Sequence, residues 1–153
     1  MPSALRIVNG RVYDPANGQD GVVRDICIRD GRIVAEVPAD AKTVDARGMV
    51  VMPGGVDIHC HIAGSKVNMA RKFQPEDHRH DVHLRTRVTR SGTGGTVPST
   101  FTTGYRYAAL GYTAAMEAAV TPLGARSTLE ELQDTPIIDK GFFVLVGNNV
   151  LLF

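Results

Sequence analysis

The chain of 153 residues contains no tryptophan and only two cysteines, Cys27 and Cys60. Two thiols build no disulfide framework, which is in keeping with a reducing, cytoplasmic setting. Charge of one sign is also lacking. Seventeen Lys and Arg stand against 16 Asp and Glu, a formal net charge of +1, so no global electrostatic signature points to nucleic acid or to a membrane surface. No apolar run approaches the roughly 18 residues that span a bilayer. The opening "MPSALRIVNG" is too short and too interrupted by polar residues for a secretory signal. What remains, 43% hydrophobic and 22% charged residues, is an ordinary globular composition with room for one domain. The most apolar stretch, Gly141 to Phe153, is where the sequence stops. A bare hydrophobic strand edge invites association, so the chain reads as the N-terminal piece of something longer.

The first 52 residues carry strand and turn signals and no helix signal. "LRIVNGRVYDP" reads as a strand, a turn at Asn9-Gly10 and a second short strand; "DICIRDGRIVAEV" repeats the pattern around Asp30-Gly31. "TVDARGMVVMPG" adds a further strand pair. From Pro53 the character changes. "GGVDIHCHI" is a strand candidate, with Val56, Ile58, Cys60 and Ile62 on one face and Asp57, His59 and His61 on the other. Residues 64 to 104 are polar and without a clear period, and a loop of that length is usually functional or mobile. "GYRYAALGY" fits a short helix closed by Gly111, and "TAAMEAAV" reads as a strand or as a continuation of that helix. "RSTLEELQD" carries a capping-box pattern, Ser127 with Glu130, and "KGFFVLVG" reads as a further buried strand. The order strand, helix, strand, helix, strand is the pattern of parallel β/α units.

A strand sends residues i and i+2 to one face, so His59 and His61 point the same way, about 7 Å apart along the strand. Two imidazoles so placed can converge on one divalent ion such as zinc. They fall at the C-terminal end of the first parallel strand, where β/α folds carry their chemistry. An HxH pair alone is a common and often meaningless spacing; the Pro-Gly-Gly before it and the β-rich unit upstream give it context.

"MVVMPGGVDIHCHI" resembles the first barrel strand of the amidohydrolase superfamily. "HIAGSKVNMARKFQPEDHR", "STFTTGYRYAALGYTAAMEAAVTPL" and "DTPIIDKGFFVLVGNN" are similar to the A subunits of formylmethanofuran dehydrogenases and to their bacterial counterparts in formyltransferase/hydrolase complexes. The resemblance implies an α/β fold: an incomplete (β/α)8 barrel, first strands only, over residues 53–153, preceded by a β-sandwich segment over residues 1–52. It implies zinc, as a pair in the full-length protein, with His59 and His61 among its ligands and the remaining ligands and the catalytic aspartate on later strands. It also implies the function of a cytoplasmic subunit that interconverts an N-formyl furan-type carrier, formylmethanofuran or formylmethylofuran, with the free amine and formate. Its partners would be the other subunits of the complex and the carrier, with no nucleic acid and no membrane. The alternatives are a dihydroorotase-like or hydantoinase-like cyclic-amide hydrolase, or a non-catalytic scaffold. Three strands of eight cannot close a barrel, so the isolated chain is expected to be inactive.

Other residues carry two readings each. Asp57 is the candidate for a carboxylate that orients a ligand histidine, or else a buried carboxylate bonded to barrel backbone or an arginine. Cys60 is expected to pack in the core. His78, His80 and His83 in "HRHDVH" read as substrate contacts or a second metal site, against a solvated polar loop. Between Lys66 and Arg90 seven Lys/Arg face three Asp/Glu, a bias that steers an anionic substrate or simply solvates a face. Lys66, Arg71, His78, Arg79 and Asn148 are the candidate substrate contacts; Asn148 and Asn149 read equally as a turn cap. Tyr105, Tyr107 and Tyr112 either line an extended ligand or pack a helix.

Overall fold

The structure, a computed structural model, describes residues 4–73, 86–87 and 100–147. The chain divides into two compact units, Met1–Pro53 and Gly54–Phe153.

The first unit is one five-stranded sheet. Its centre is β1 (Ala4–Asp14), which pairs antiparallel with β2 (Gln19–Arg29); β2 pairs in turn with β3 (Arg32–Val34). The β1–β2 connection is a 3-10 turn at Pro15–Asn17, where proline presets the backbone. Asn9-Gly10, which reads as a hairpin turn in the sequence, lies inside β1. Asn9 has φ 62°, and the register shifts between Ile7 and Gly10, so one positive-φ residue makes a bulge where the type I′ turn usual for Asn-Gly would need two. The strand pair expected in "TVDARGMVVMPG" is also different. β4 (Lys42–Asp45) and β5 (Val50–Val51) do not pair with each other; both run parallel to β1, β4 beside Leu5–Val8 and β5 beside Arg11–Val12. The bulge separates these two partners. A Cβ at Gly10 would stand 2.5 Å from Val51 Cγ2, so the close approach of β5 needs glycine there.

The second unit is a parallel three-stranded sheet in the order β6 (Gly55–Cys60), β7 (Tyr112–Val120), β8 (Asp139–Val144). "TAAMEAAV" is thus strand, the central one, paired along one edge with β6 and along the other with β8. Helix α1 (Ser65–Phe73) follows β6, inside the stretch that reads as loop. None of its residues is buried, so no apolar period reveals it. α2 (Thr100–Ala109) ends at Leu110-Gly111, where the Gly111 N–H donates to the Ala108 carbonyl. α3 (Ala125–Gln133) joins β7 to β8. The expected capping box does not form: Pro122 opens a 3-10 turn that starts the helix earlier, Ser127 falls in the first turn and donates to the Gly124 carbonyl, and Glu130 meets Arg126.

Cys60, Ile62, Ala63, Ala115, Leu132 and Ile138 form the core of this unit, with Tyr107, Ala108 and Phe142 packed against it. The expectation that "KGFFVLVG" is a buried strand is corrected. The end of β8 is open, with Phe143, Val144, Leu145 and Val146 all exposed, and Val56 and Ile58 are 58% and 68% exposed.

Candidate metal-ligand site

β6 delivers its histidines at the point where the strand ends. The β6–β7 register slips there: Asp57 faces Ala115 and Cys60 faces Glu117, so three steps on β6 match two on β7. The extra residue breaks the alternation at Ile58 and His59, both exposed, after which it resumes. Cys60 enters the core, and burial, then the nearby Asp57 carboxylate, push its thiol up to about 11. His59 and His61 stay together on the open side, with ring centroids 5.5 Å apart and planes at 84°.

The slip also moves Asp57 away from the role suggested by simple alternation. Its Oδ2 accepts the Tyr107 hydroxyl at 3.0 Å, and its Oδ1 accepts the backbone N–H of His59 at 3.1 Å. Tyr107 comes from α2 and packs on the core, edge to face with Tyr112 at 5.4 Å. Burial first, then the bond to Asp57, raise its phenol. Asp57 therefore ties the strand to the helix behind it, and touches a histidine only through the backbone.

The carboxylate that meets a histidine ring is Glu117 on β7. Its Oε1 lies 2.9 Å from His61 Nδ1, while Oε2 accepts the backbone N–H groups of Ile62 at 2.5 Å and Ala63 at 3.1 Å. Glu117 is 2% exposed, the sole charged residue in a strand otherwise made of small and apolar side chains and Thr113. That isolation was a legible signal in the sequence: a charge amid "TAAMEAAV" is costly to bury unless something receives it.

A second carboxylate completes the strand exit. Glu131 on α3 accepts the Gly64 N–H through Oε2 and the Asn68 amide through Oε1, both at 2.8 Å. Gly64 has φ 94°, and a Cβ there would sit 2.8 Å from Thr128 Oγ1, so only glycine turns the chain this tightly against α3. Arg71 on α1 donates to the Ile62 carbonyl at 2.7 Å and to Asn68 Oδ1 at 3.2 Å. Its guanidinium is largely desolvated, which lowers its pKa, with Glu131 and then Glu117 opposing the shift. Of the candidate substrate contacts, Arg71 is thus committed to the loop, whereas Lys66 is exposed and lines a cavity of about 470 Å³ that also opens on His61, Arg71 and Glu117. His78, Arg79, His80, His83, Asn148 and Asn149 lie outside the described residues.

The donor set suits half of a zinc site. His59 and His61 supply two neighbouring imidazoles, and the engagement of His61 Nδ1 by Glu117 leaves its Nε2 free to face a ligand. Among the described residues no cluster of three or more His, Cys, Asp or Glu side chains stands ready for a metal. No described helix is long and apolar enough to cross a membrane.

Residues 42–143 match the model of the amidohydrolase family. Protein FwdA of Methanocaldococcus jannaschii is 53% identical over 143 residues, which covers 94% of this chain and 25% of FwdA. A chain of the formyltransferase/hydrolase complex FhcABCD from Methylorubrum extorquens, whose crystal structure contains methylofuran, superposes with a TM-score of 0.76 at 40% identity, over 95% of this chain and 26% of that one. A dihydroorotase of Streptococcus pneumoniae is 37% identical over 92 residues, 58% of this chain and 19% of the relative. The chain spans about a quarter of the length of the first two proteins.

Proposed function

We propose, from the premise that this chain belongs to the amidohydrolase family, that it forms the opening of a (β/α)8 hydrolase barrel, preceded by one sheet of a composite β-sandwich that other parts of the complete subunit would finish, in a subunit that interconverts an N-formyl furan-type carrier with the free amine and formate. The observation that carries the reading is the His59–His61 ring pair at the C-terminal end of β6, with Glu117 behind His61. The similarity to FwdA and to the methylofuran-containing complex extends over nearly the whole chain and supports the choice of carrier. The dihydroorotase match stops at 58% of the chain and supports only the common hydrolase scaffold.

His59 and His61 would hold zinc, one of two ions in the complete subunit. When bound, zinc acidifies a coordinated water and polarises a carbonyl oxygen. This chain's part is to orient: Glu117 sets the His61 ring, while Glu131 and Arg71 hold the backbone that carries it. Lys66, exposed on the wall of the cavity that also opens on His61, is the candidate substrate contact among the described residues that the loop leaves free. The overall reaction adds water across the formamide C–N bond, releasing formate and the amine; the acid–base residue lies on later strands. The subunit would work in the cytoplasm with the other subunits of its complex, and the 153 residues alone would be inactive.

The test replaces both His59 and His61 by alanine in the complete subunit and measures formate release from the formylated carrier together with zinc per subunit. Both should fall to background while the complex remains assembled. Near-normal turnover with normal zinc would remove the hydrolase reading of this strand.

A further inference from the structure

We propose that Glu117 is a positioning residue for His61, fixing the imidazole as its Nδ1–H tautomer so that Nε2 presents a lone pair to the metal; the inference rests on the metal-hydrolase reading above. The argument begins with a count of donors and acceptors. Oε2 already receives two backbone N–H groups, from Ile62 and Ala63, and Oε1 faces His61 Nδ1. An ionised carboxylate only accepts, so three donors on its two oxygens satisfy every group, with the ring proton on Nδ1. The alternative places a proton on Glu117 and donates it to Nδ1. That leaves the outward nitrogen as N–H, with no lone pair for a metal.

The same side chain holds the backbone on which the ring is mounted. The register sets Glu117 opposite Cys60, one residue before His61, and its two amide bonds fall on the two residues that follow. Ring and backbone are therefore positioned by one buried group on the neighbouring strand. His61 itself is about half exposed, its side chain 54% accessible, so packing does not hold the ring. An amide at this position is a poor substitute. Its single oxygen cannot accept at both ends, and its NH₂ would face either the ring N–H or the backbone donors.

The experiment uses the complete subunit, stripped of metal, with zinc affinity read by competition against a chelator. Glu117→Gln, His61→Ala and the double variant are compared. Glu117→Gln should weaken zinc about 10- to 100-fold, the usual effect of losing a partner behind a ligand histidine. On the His61→Ala background it should add less than about twofold, because its effect passes through that ring. Wild-type affinity in Glu117→Gln, or the same loss repeated without His61, would overturn the inference and leave the metal reading standing. Undiminished affinity in His61→Ala would instead remove the metal reading itself. A direct readout covers a variant that fails to fold: in the unaltered protein carrying ¹⁵N-histidine, with His61→Ala for assignment, the His61 proton should be found on Nδ1. Finding it on Nε2 would overturn the proposal.

Discussion

Lys66 and Arg71 are both basic residues near the histidines, and the structure separates what their loss should do. Replacing Arg71 by methionine keeps most of the bulk and removes two hydrogen bonds, to the Ile62 carbonyl at 2.7 Å and to Asn68 Oδ1 at 3.2 Å. A bond from a charged donor is worth about 1.5–3 kcal/mol. The second, longer bond adds less, and relief of the desolvated guanidinium returns part of the sum. The net loss is about 2 kcal/mol, confined to the strand exit at residues 62–64. At 1.4 kcal/mol per tenfold, local opening becomes about 30-fold more frequent. Hydrogen exchange of the Ile62, Ala63 and Gly64 amides, measured in the assembled complex, reads this directly. Lys66→Ala should leave that exchange unchanged and instead raise KM for the carrier, since Lys66 is exposed on the cavity wall. Unaltered exchange in Arg71→Met together with a raised KM would show that the guanidinium contacts substrate, and that its bonds to the loop carry little energy.

Tyr107→Phe strips the donor from Asp57 Oδ2 and should cost about 1–3 kcal/mol of stability with zinc per subunit unchanged; loss of zinc would return Asp57 to the metal site. Gly10→Ala places a methyl against Val51 Cγ2, so a thermal melt should show about 1–3 kcal/mol of destabilisation, with wild-type stability refuting the close approach of β5 to β1. Asp45 is held below the usual carboxylate range, first by the Asn9 side-chain amide and then by the Arg47 backbone N–H. A lowered folded pKa contributes stability above the unfolded value, lost as pH falls below about 4. Asn9→Gly keeps the bulge without the amide, so the acid limb of its melting curve should be shallower than wild type, and an unchanged limb would show the bond to be without effect.

Local chemistry was legible in the sequence wherever a short signal has one meaning. Asp30-Gly31, both with positive φ, turns β2 into β3, and the period-2 spacing of His59 and His61 keeps their rings together. The positions of β6, α2, α3 and β8 after Pro53 likewise follow from apolar pattern and helix-ending residues, whereas β7 reads as strand or helix until its neighbours are known. Signals with two meanings went the other way. Asn9-Gly10 favours positive φ, which serves a bulge as well as a turn, and only the pairing of β4 and β5 with β1 on either side of it shows which one forms. α1 buries nothing, so it carries no apolar stripe to be read. The site shows the same division. Strand alternation places Asp57 with the histidines, but in the structure, where the β6–β7 register slips on either side of Asp57, its carboxylate meets Tyr107 and the ring of His61 meets Glu117, 56 positions away in sequence. A residue's own neighbours determine its backbone preference; which carboxylate meets which imidazole is settled by register between strands, because hydrogen bonds act over about 3 Å in space and know nothing of separation along the chain.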